Sequence, residues 1–228
     1  LETGDAVLSV LGRIHPTEGY HLTVSARTEG SGDLLRMASG IDLSGNVLLQ
    51  GTMTGALALP VFSGTISAAP FRVRTVVFQN ISGLLELQNR KLSIIGAAIR
   101  QGTNRYVFDG SADFRGEQPI YDGRLNVVRS DVVSIVSLFT QRIPLDVEAH
   151  GELSFHGTAT EYAGKGHLNF GSGTAYGETF DRGSLSAVLA PGKISFPEAM
   201  IEKAGGMLRG NGWIGFDGTY GAHLDSTG

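Results

Sequence analysis

The chain has no cysteine, a single tryptophan, no cluster of lysine and arginine, and no apolar run long enough to span a membrane. Each absence excludes something. Without Cys there is no disulfide framework, no thiol chemistry and no thiolate metal site, and the redox compartment is left open. No stretch approaches the roughly 18 apolar residues of a spanning helix, and no signal peptide opens at Leu1. An anchor or export signal is expected to lie outside these residues. A formal net charge of −4 without a basic cluster argues against a nucleic-acid binder. Aromatics make up only 8 % and sit in mid-segment, which counts against the two aromatic girdles of a transmembrane β-barrel.

Glycine, by contrast, is abundant at 33 of 228 residues, well above the usual share of about 7 %. The glycines follow no collagen period and fall inside alternating segments, so they read as bends, bulges and turns of a sheet protein. A hydrophobic content of 41 % is enough for a folded chain.

Alternation is the dominant pattern. In Leu145–His156 the odd positions Leu145, Val147, Ala149, Gly151, Leu153 and Phe155 are apolar or Gly, and every even position is polar. Such a segment is an extended strand with one greasy and one wet face. At roughly 3.3 Å per residue it would span about 40 Å and need long neighbours to pair with. The chain supplies them. Tyr20, Leu22 and Val24 alternate in Tyr20–Ala26, and Val47, Leu49 and Met53 share a face of Ile41–Thr54. Tyr106, Phe108 and Phe114 alternate in Arg105–Arg115, and Tyr121, Leu125 and Val127 in Ile120–Val128. Leu168 and Phe170 belong to Gly166–Phe170, Leu185 to Phe180–Leu189, and Ile194 and Phe196 to Ile194–Ile201. Leu208, Ile214 and Phe216 close the set in Leu208–Phe216, with Trp213 pointing outward. Ala6–Ile14, apolar on both faces, is a further strand, as are Phe71–Phe78, Gly83–Leu87, Leu92–Ile99 and Tyr220–Leu224. Shorter pieces, Ala56–Pro60 and Gly64–Ala68, surround Pro60.

Two segments break the pattern. Gly32–Met37 reads as one or two helical turns. In Ser130–Thr140, Val132, Ile135, Val136 and Phe139 fall at helical spacing behind Ser130 as an N-cap.

Features also recur along the chain. Gly45 and Gly51 match Gly151 and Gly157 at a spacing of 106, Gly83 and Gly110 match Gly183 and Gly210 at 100, and Tyr20 matches Tyr121. A unit of about 100 residues therefore occurs about twice, over 1–104 and 105–216, with 217–228 beginning a third. Leu1 and Gly228 read as cut points in a longer array.

The segments D-V-V-S-I-V, L-D-V-E-A-H-G-E-L-S-F-H-G-T-A-T, G-K-G-H-L-N-F, F-D-R-G-S-L-S-A-V-L and M-L-R-G-N-G-W-I-G-F, in that order, resemble the periplasmic repeats of the AsmA-like superfamily, and within it the TamB-like proteins. The resemblance covers essentially the whole chain. It implies a long β-sheet curled into a trough, the β-taco, with apolar side chains lining the concave face. It also implies a bridge-like lipid-transfer role in the periplasm of a Gram-negative bacterium. Phospholipid acyl chains would then pass between an anchored inner-membrane parent and the outer membrane. TamB-like members pair with a TamA-like outer-membrane barrel and support insertion of outer-membrane proteins.

The expected fold is thus all-β: an elongated, curled, mainly antiparallel sheet with one short amphipathic helix per unit. Long strands with one apolar face must cover that face, and one short helix per unit is too little to do it. Curling turns the greasy faces toward one another, with Gly110, Gly123, Gly151, Gly210 and Gly212 leaving room near the backbone. Acyl chains would complete the burial at roughly 0.8 kcal/mol per CH₂, the same at every position along the groove. Asp146, Glu148, Glu152, Arg105 and Asp113 would keep the other face soluble.

Signals for chemistry are weak, and neither enzymatic activity nor a cofactor is expected. Glu148, His150 and Glu152 carry metal-binding atoms on one strand face, but their spacing is that of any solvated strand. Gly171–Gly177 is glycine-rich but lacks the G-x-G-x-x-G spacing and reads as a loop. No serine sits in a G-x-S-x-G elbow. Asn80-Ile81-Ser82 matches a glycosylation sequon, a pattern frequent by chance. The competing architecture is a parallel β-helix, as in adhesins or carbohydrate-active surface proteins. It would repeat at a far shorter period than about 100 residues.

Overall fold

The structure, a computed structural model, describes residues 2–3, 6–28, 43–73, 76–136 and 144–227. Its strands are β1 (Glu2–Thr3), β2 (Ala6–His15), β3 (Gly19–Thr28), β4 (Leu43–Gly55), β5 (Val61–Val73), β6 (Val76–Phe78), β7 (Asn80–Gln88), β8 (Lys91–Gln101) and β9 (Asn104–Asp113). There follow β10 (Ile120–Asp131), the helix α1 (Val132–Val136), β11 (Leu145–Asp146), β12 (Glu148–Gly157), β13 (Tyr162–Phe170), β14 (Gly173–Ala175) and β15 (Glu178–Phe180). The last four are β16 (Arg182–Ala190), β17 (Lys193–Lys203), β18 (Gly206–Gly215) and β19 (Tyr220–Thr227).

The architecture is all-β and antiparallel. The main sheet runs in the order β1-β2-β3-β4-β5-β7-β8-β9-β10-β12-β13-β16-β17-β18-β19, with β6 alongside β5, and a small sheet has the order β11-β14-β15. Antiparallel pairing of chain neighbours is incompatible with a parallel β-helix, and among the described residues the order is linear, not closed on itself. The chain forms two compact units, Leu1–Gly102 with Val107–Pro119, and Thr103–Tyr106 with Ile120–Gly228.

In the first unit the register places Val10, Val24, Gly51, Gly64, Leu85 and Ile94 in one row across six strands. The next row is Gly12, Leu22, Met53, Phe62, Leu87 and Leu92. Val24, Phe62 and Leu85 are buried there, with Leu22, Leu49, Met53 and Ile66 packed around them. In the second unit one row is Val127, Gly151, Leu168, Leu185, Ala199, Gly210 and Leu224. A second core of Val132, Val147, Ala149 and Phe180 gathers Leu145, Phe170, Ala175 and Ile201 at one end of this unit.

Bulges decide where the apolar set changes phase. In β10 the partners step from Val127↔Gly151 to Ser130↔Ala149, one extra residue, so the inward positions pass from odd to even numbers. β17 carries an extra residue around Pro197 against both of its neighbours, a position where a strand tolerates proline. β5 carries one at Ala69–Pro70. As a result Gly64–Ala68 and Phe71 belong to one strand of 13 residues, not to separate pieces, and Ala56–Pro60 is the turn before it, closed by Leu59 N–H donating to Ala56 O at 3.0 Å.

Three other expectations are corrected. Leu145–His156 is not one strand: it breaks at Val147, whose carbonyl accepts Val132 N–H at 3.0 Å, and Leu145–Asp146 pair with β14 instead. The glycine-rich Gly171–Gly177 is not a plain loop. It forms half of the β14–β15 hairpin, whose two-residue turn Tyr176-Gly177 has φ of 52° and 84°, as a tight twisted hairpin requires. The cap of α1 is Asp131, whose Oδ1 accepts Val133 N–H at 2.9 Å, and not Ser130. The expected turns at Gly32–Met37 lie outside the described residues, as does the end of the expected helix at 137–140.

Gly45 and Gly151 share an unusual backbone. Their φ values are 147° and 154°, and a Cβ on either would come within 2.3 Å of Pro70 O or 2.0 Å of His167 O. Only glycine lets the neighbouring strand approach so closely. Gly123 differs, because a Cβ there would meet only the far edge of the Phe155 ring, at 2.1 Å. Gly151→Ala is therefore expected to destabilise by about 3 kcal/mol or more from strain and overlap with rigid backbone. Gly123→Ala, where the ring can swing away, is expected to cost about 1 kcal/mol. Urea unfolding of both variants checks the difference, and equal losses would contradict it.

Candidate functional site: an apolar sheet face

The apolar residues of alternating strands become a site only if the ladder aligns them, and it does within each unit. Tyr20, Leu22, Val24, Val47, Leu49 and Met53 share a face through the pairs Tyr20↔Gly55, Leu22↔Met53, Ala26↔Leu49 and Thr28↔Val47. In the second unit Leu125 faces Leu153 and Gly123 faces Phe155, with Tyr121 beside Gly157. Leu168 faces Leu185, Ile194 faces Ile214, and Phe196 faces Gly212. Leu208 pairs with Ile201. Phe114 and Phe216 lie just past the ends of β9 and β18; Phe216 N–H donates to Gly192 O at 2.9 Å. Phe108 is half-buried on β9.

The glycines of this face do not leave pits. The Leu153 side chain lies over Gly166, 2.2 Å from where a Cβ would be. The Phe62 ring lies over Gly51 and Gly64 at 2.7 and 2.8 Å, Phe155 over Gly123, and Leu224 over Gly210 at 2.6 Å. Large side chains thus lie down on the neighbouring strand, so Phe62 reaches 5 % exposure within the sheet's own face. Burying such a side chain contributes about 1.5–3 kcal/mol. The face is filled at the level of the backbone and has low relief.

Burial on this face is uneven. Leu8, Val10 and Ile14 of β2 are 48 %, 46 % and 59 % exposed, and Phe155 is 39 % exposed. At one end of the second unit the face is instead covered by protein. There Val132 of α1 and Leu145, Ala175 and Phe180 of the small sheet gather with Val147, Ala149, Phe170 and Ile201 in one core.

Beside that cover lies a polar knot. The Tyr106 and Ser130 hydroxyls are 2.6 Å apart, and Ser130 donates to Asp131 O at 3.0 Å. Asn104 Oδ1 accepts Asp131 N–H at 2.9 Å. Ser130 is fully buried, brought inward by the β10 bulge. Burial pushes the Tyr106 phenol above its ordinary range, partly offset by its hydrogen bond to Ser130. Tyr106 is therefore tied by its hydroxyl to structure, and only its ring belongs to the apolar set.

The opposite face carries the polar side chains, with Leu11, Leu84, Val188 and Trp213 exposed among them, and in the second unit it is ion-paired. Arg129 binds Glu148, Arg124 lies 3.3 Å from Glu152, His156 Nδ1 lies 2.6 Å from Asp122, and Arg182 lies 2.7 Å from Glu202. Glu148 and Glu152, with His150 between them, thus face arginines. Among the described residues no group of three His, Asp or Glu is arranged to hold a metal. In the first unit the same face carries hydroxyls: Thr23, Thr52 and Ser63 are successive cross-strand partners. Among the described residues no helix is long and apolar enough to cross a membrane.

Sequence reading missed Phe62, Ile66, Leu87, Leu92 and Ile94 as members of this face. The alternation Phe62-Gly64-Ile66-Ala68 was there to find them, but the phase break in β8 between Ile95 and Ala98 hid the rest.

No protein family matches the chain, no curated protein matches it, and no solved structure matches it.

Tyr106→Phe is expected to lower stability by about 1–2 kcal/mol by leaving the buried Ser130 hydroxyl short of a partner; thermal unfolding checks it. Asp113 gives a pH signature, because hydrogen bonds from Arg115 hold its carboxyl down from 3.8 to about 2. A lowered folded-state pKa stabilises above the unfolded value, and that contribution is lost as pH falls through about 2. Carboxyl NMR of Asp113 is expected to show this midpoint, returning toward 3.8 in Arg115→Ala.

Proposed function

We propose that this chain is a periplasmic segment of a bridge-like lipid-transfer protein of the AsmA-like, TamB-like kind. In this reading the sheet curls into a trough built from repeated units, and its apolar face carries phospholipid acyl chains between the inner and outer membranes. The parent protein is anchored in the inner membrane and meets a TamA-like barrel at the outer one. The segment performs no catalysis; its work is to keep acyl chains out of water while letting them move.

One observation carries the proposal: on the face whose apolar residues the register aligns in rows, large side chains remain open to solvent, at Leu8, Val10 and Ile14 in one unit and Phe155 in the other. The exposed Leu11, Leu84 and Trp213 of the opposite face stand instead among hydroxyl or charged neighbours. Leu8, Val10 and Ile14 adjoin one another on one strand face, and a contiguous exposed apolar row of this kind suits an apolar partner. The low relief described above supports movement over capture. A chain lying on a face whose glycines are already covered gains about 0.8 kcal/mol per buried CH₂ wherever it sits along the rows.

A photoactivatable phospholipid, with its reactive group on the acyl chain, tests the assignment of faces. Leu153→Asp is expected to reduce covalent adducts on the second unit by about tenfold, because a charge on the apolar face must stay hydrated. Glu148→Gln, on the other face, is expected to leave them unchanged. Equal losses from both variants, or no acyl adducts on the native chain, would overturn the proposal.

A further inference from the structure

A cavity of about 460 Å³ opens where the β14–β15 hairpin stands beside the ends of β17, β18 and β19. Phe180, Ile201 and Leu208 supply apolar lining, and Lys203 and Glu178 supply the charge. Phe180 is 7 % exposed and belongs to the covered core, so the apolar face of the unit meets protein here. Lys203 Nζ lies 2.6 Å from Glu178 Oε2, and both side chains reach solvent. The lysine is held in place. It directly precedes the tight turn Ala204-Gly205, with φ of 49° and 85°, and Ala204 N–H donates to Asp181 Oδ2 at 2.8 Å.

We infer that this cavity is a headgroup station for a zwitterionic phospholipid bearing a phosphate and a primary amine. The inference rests on the lipid-conduit reading above and adds a place along it where the headgroup is read. An exposed ion pair contributes little and opens at small cost. A phosphate–ammonium headgroup replaces it with two pairs, phosphate on Lys203 and ammonium on Glu178, and leaves neither side chain unpartnered. An anionic headgroup without an amine satisfies Lys203 but sets a second negative charge beside Glu178, which opposes binding. The acyl end meets Ile201 and Leu208, which belong to the apolar face. Charge complementarity therefore selects the zwitterion.

The test uses the whole chain with a photo-cross-linking residue at Met207, which lines the cavity, and separately at Leu8 on the apolar face of β2. Each is exposed to vesicles of mixed phosphatidylethanolamine and phosphatidylglycerol, and the adducts are identified by mass spectrometry. Met207 adducts are expected to be enriched in phosphatidylethanolamine by about threefold, as suits exchange of an exposed ion pair. Leu8 adducts are expected to follow the vesicle composition. Lys203→Glu is expected to abolish the enrichment, and the charge-swapped Glu178→Lys/Lys203→Glu double variant to restore it. Enrichment that survives Lys203→Glu, adducts of vesicle composition at Met207, or loss of the enrichment in excess inorganic phosphate would overturn the station while Leu8 adducts keep the conduit. Absence of lipid at both positions would overturn both.

Discussion

The structure depends on sideways burial. An antiparallel ladder satisfies the backbone of every strand it pairs, but it does nothing for the apolar half of the side chains. Where no second layer covers them, they are covered by one another: a ring or a branched chain lies flat across the glycine of the next strand, as Phe155 does on Gly123 and Leu153 on Gly166. This explains why a chain so rich in glycine can still bury Phe62 and Val24. The glycines accept neighbouring side chains and contribute none. Many others, Gly12, Gly45, Gly151 and Gly157 among them, instead meet the backbone of the next strand, which comes too close for any side chain.

Against that uniform face, one end of the second unit is built differently. The helix α1 begins at a hydrogen bond from Val132 to the break in the strand at Val147, and the β14–β15 hairpin extends the cover. A fully buried serine and a buried tyrosine hold the bulge that turns the chain there. Polar groups in such a place are stabilising only when all of them are paired, and these are. The unit thus has a face open to an apolar partner and a limited stretch where protein supplies that partner.

The polar face separates the two units chemically. In the second, cross-strand ion pairs such as Arg182 with Glu202 alternate in sign, each contributing little by itself. In the first, rows of threonine and serine dominate, with Glu86 and Arg27 among them. Both keep the apolar residues on the other side, because slipping the register by one residue would expose an entire greasy row and bury a polar one.

How much of this was legible follows from what alternation encodes. Period-2 patterning reports which residues of one strand share a face, and Tyr20, Leu22, Val24, Leu153 and Phe155 are where it puts them relative to their neighbours. It does not report an extra residue. The β10 bulge moved Ser130 from a helix cap to a buried hydroxyl, the β17 bulge lies at Pro197, and the β8 phase break concealed Leu92 and Ile94. Nor does it report pairing partners, so Leu145 read as the start of a long strand when its partner is Ala175 in another sheet. What the sequence by itself determined is the class of structure and, in the alternating stretches between bulges, the division into greasy and wet halves, since both are set by local side-chain order. Tertiary structure alone decided where the phase breaks, which glycines are covered by rings and which by backbone, and where Lys203 meets Glu178. Those depend on the distance between strands far apart in the chain, and no local pattern carries that distance.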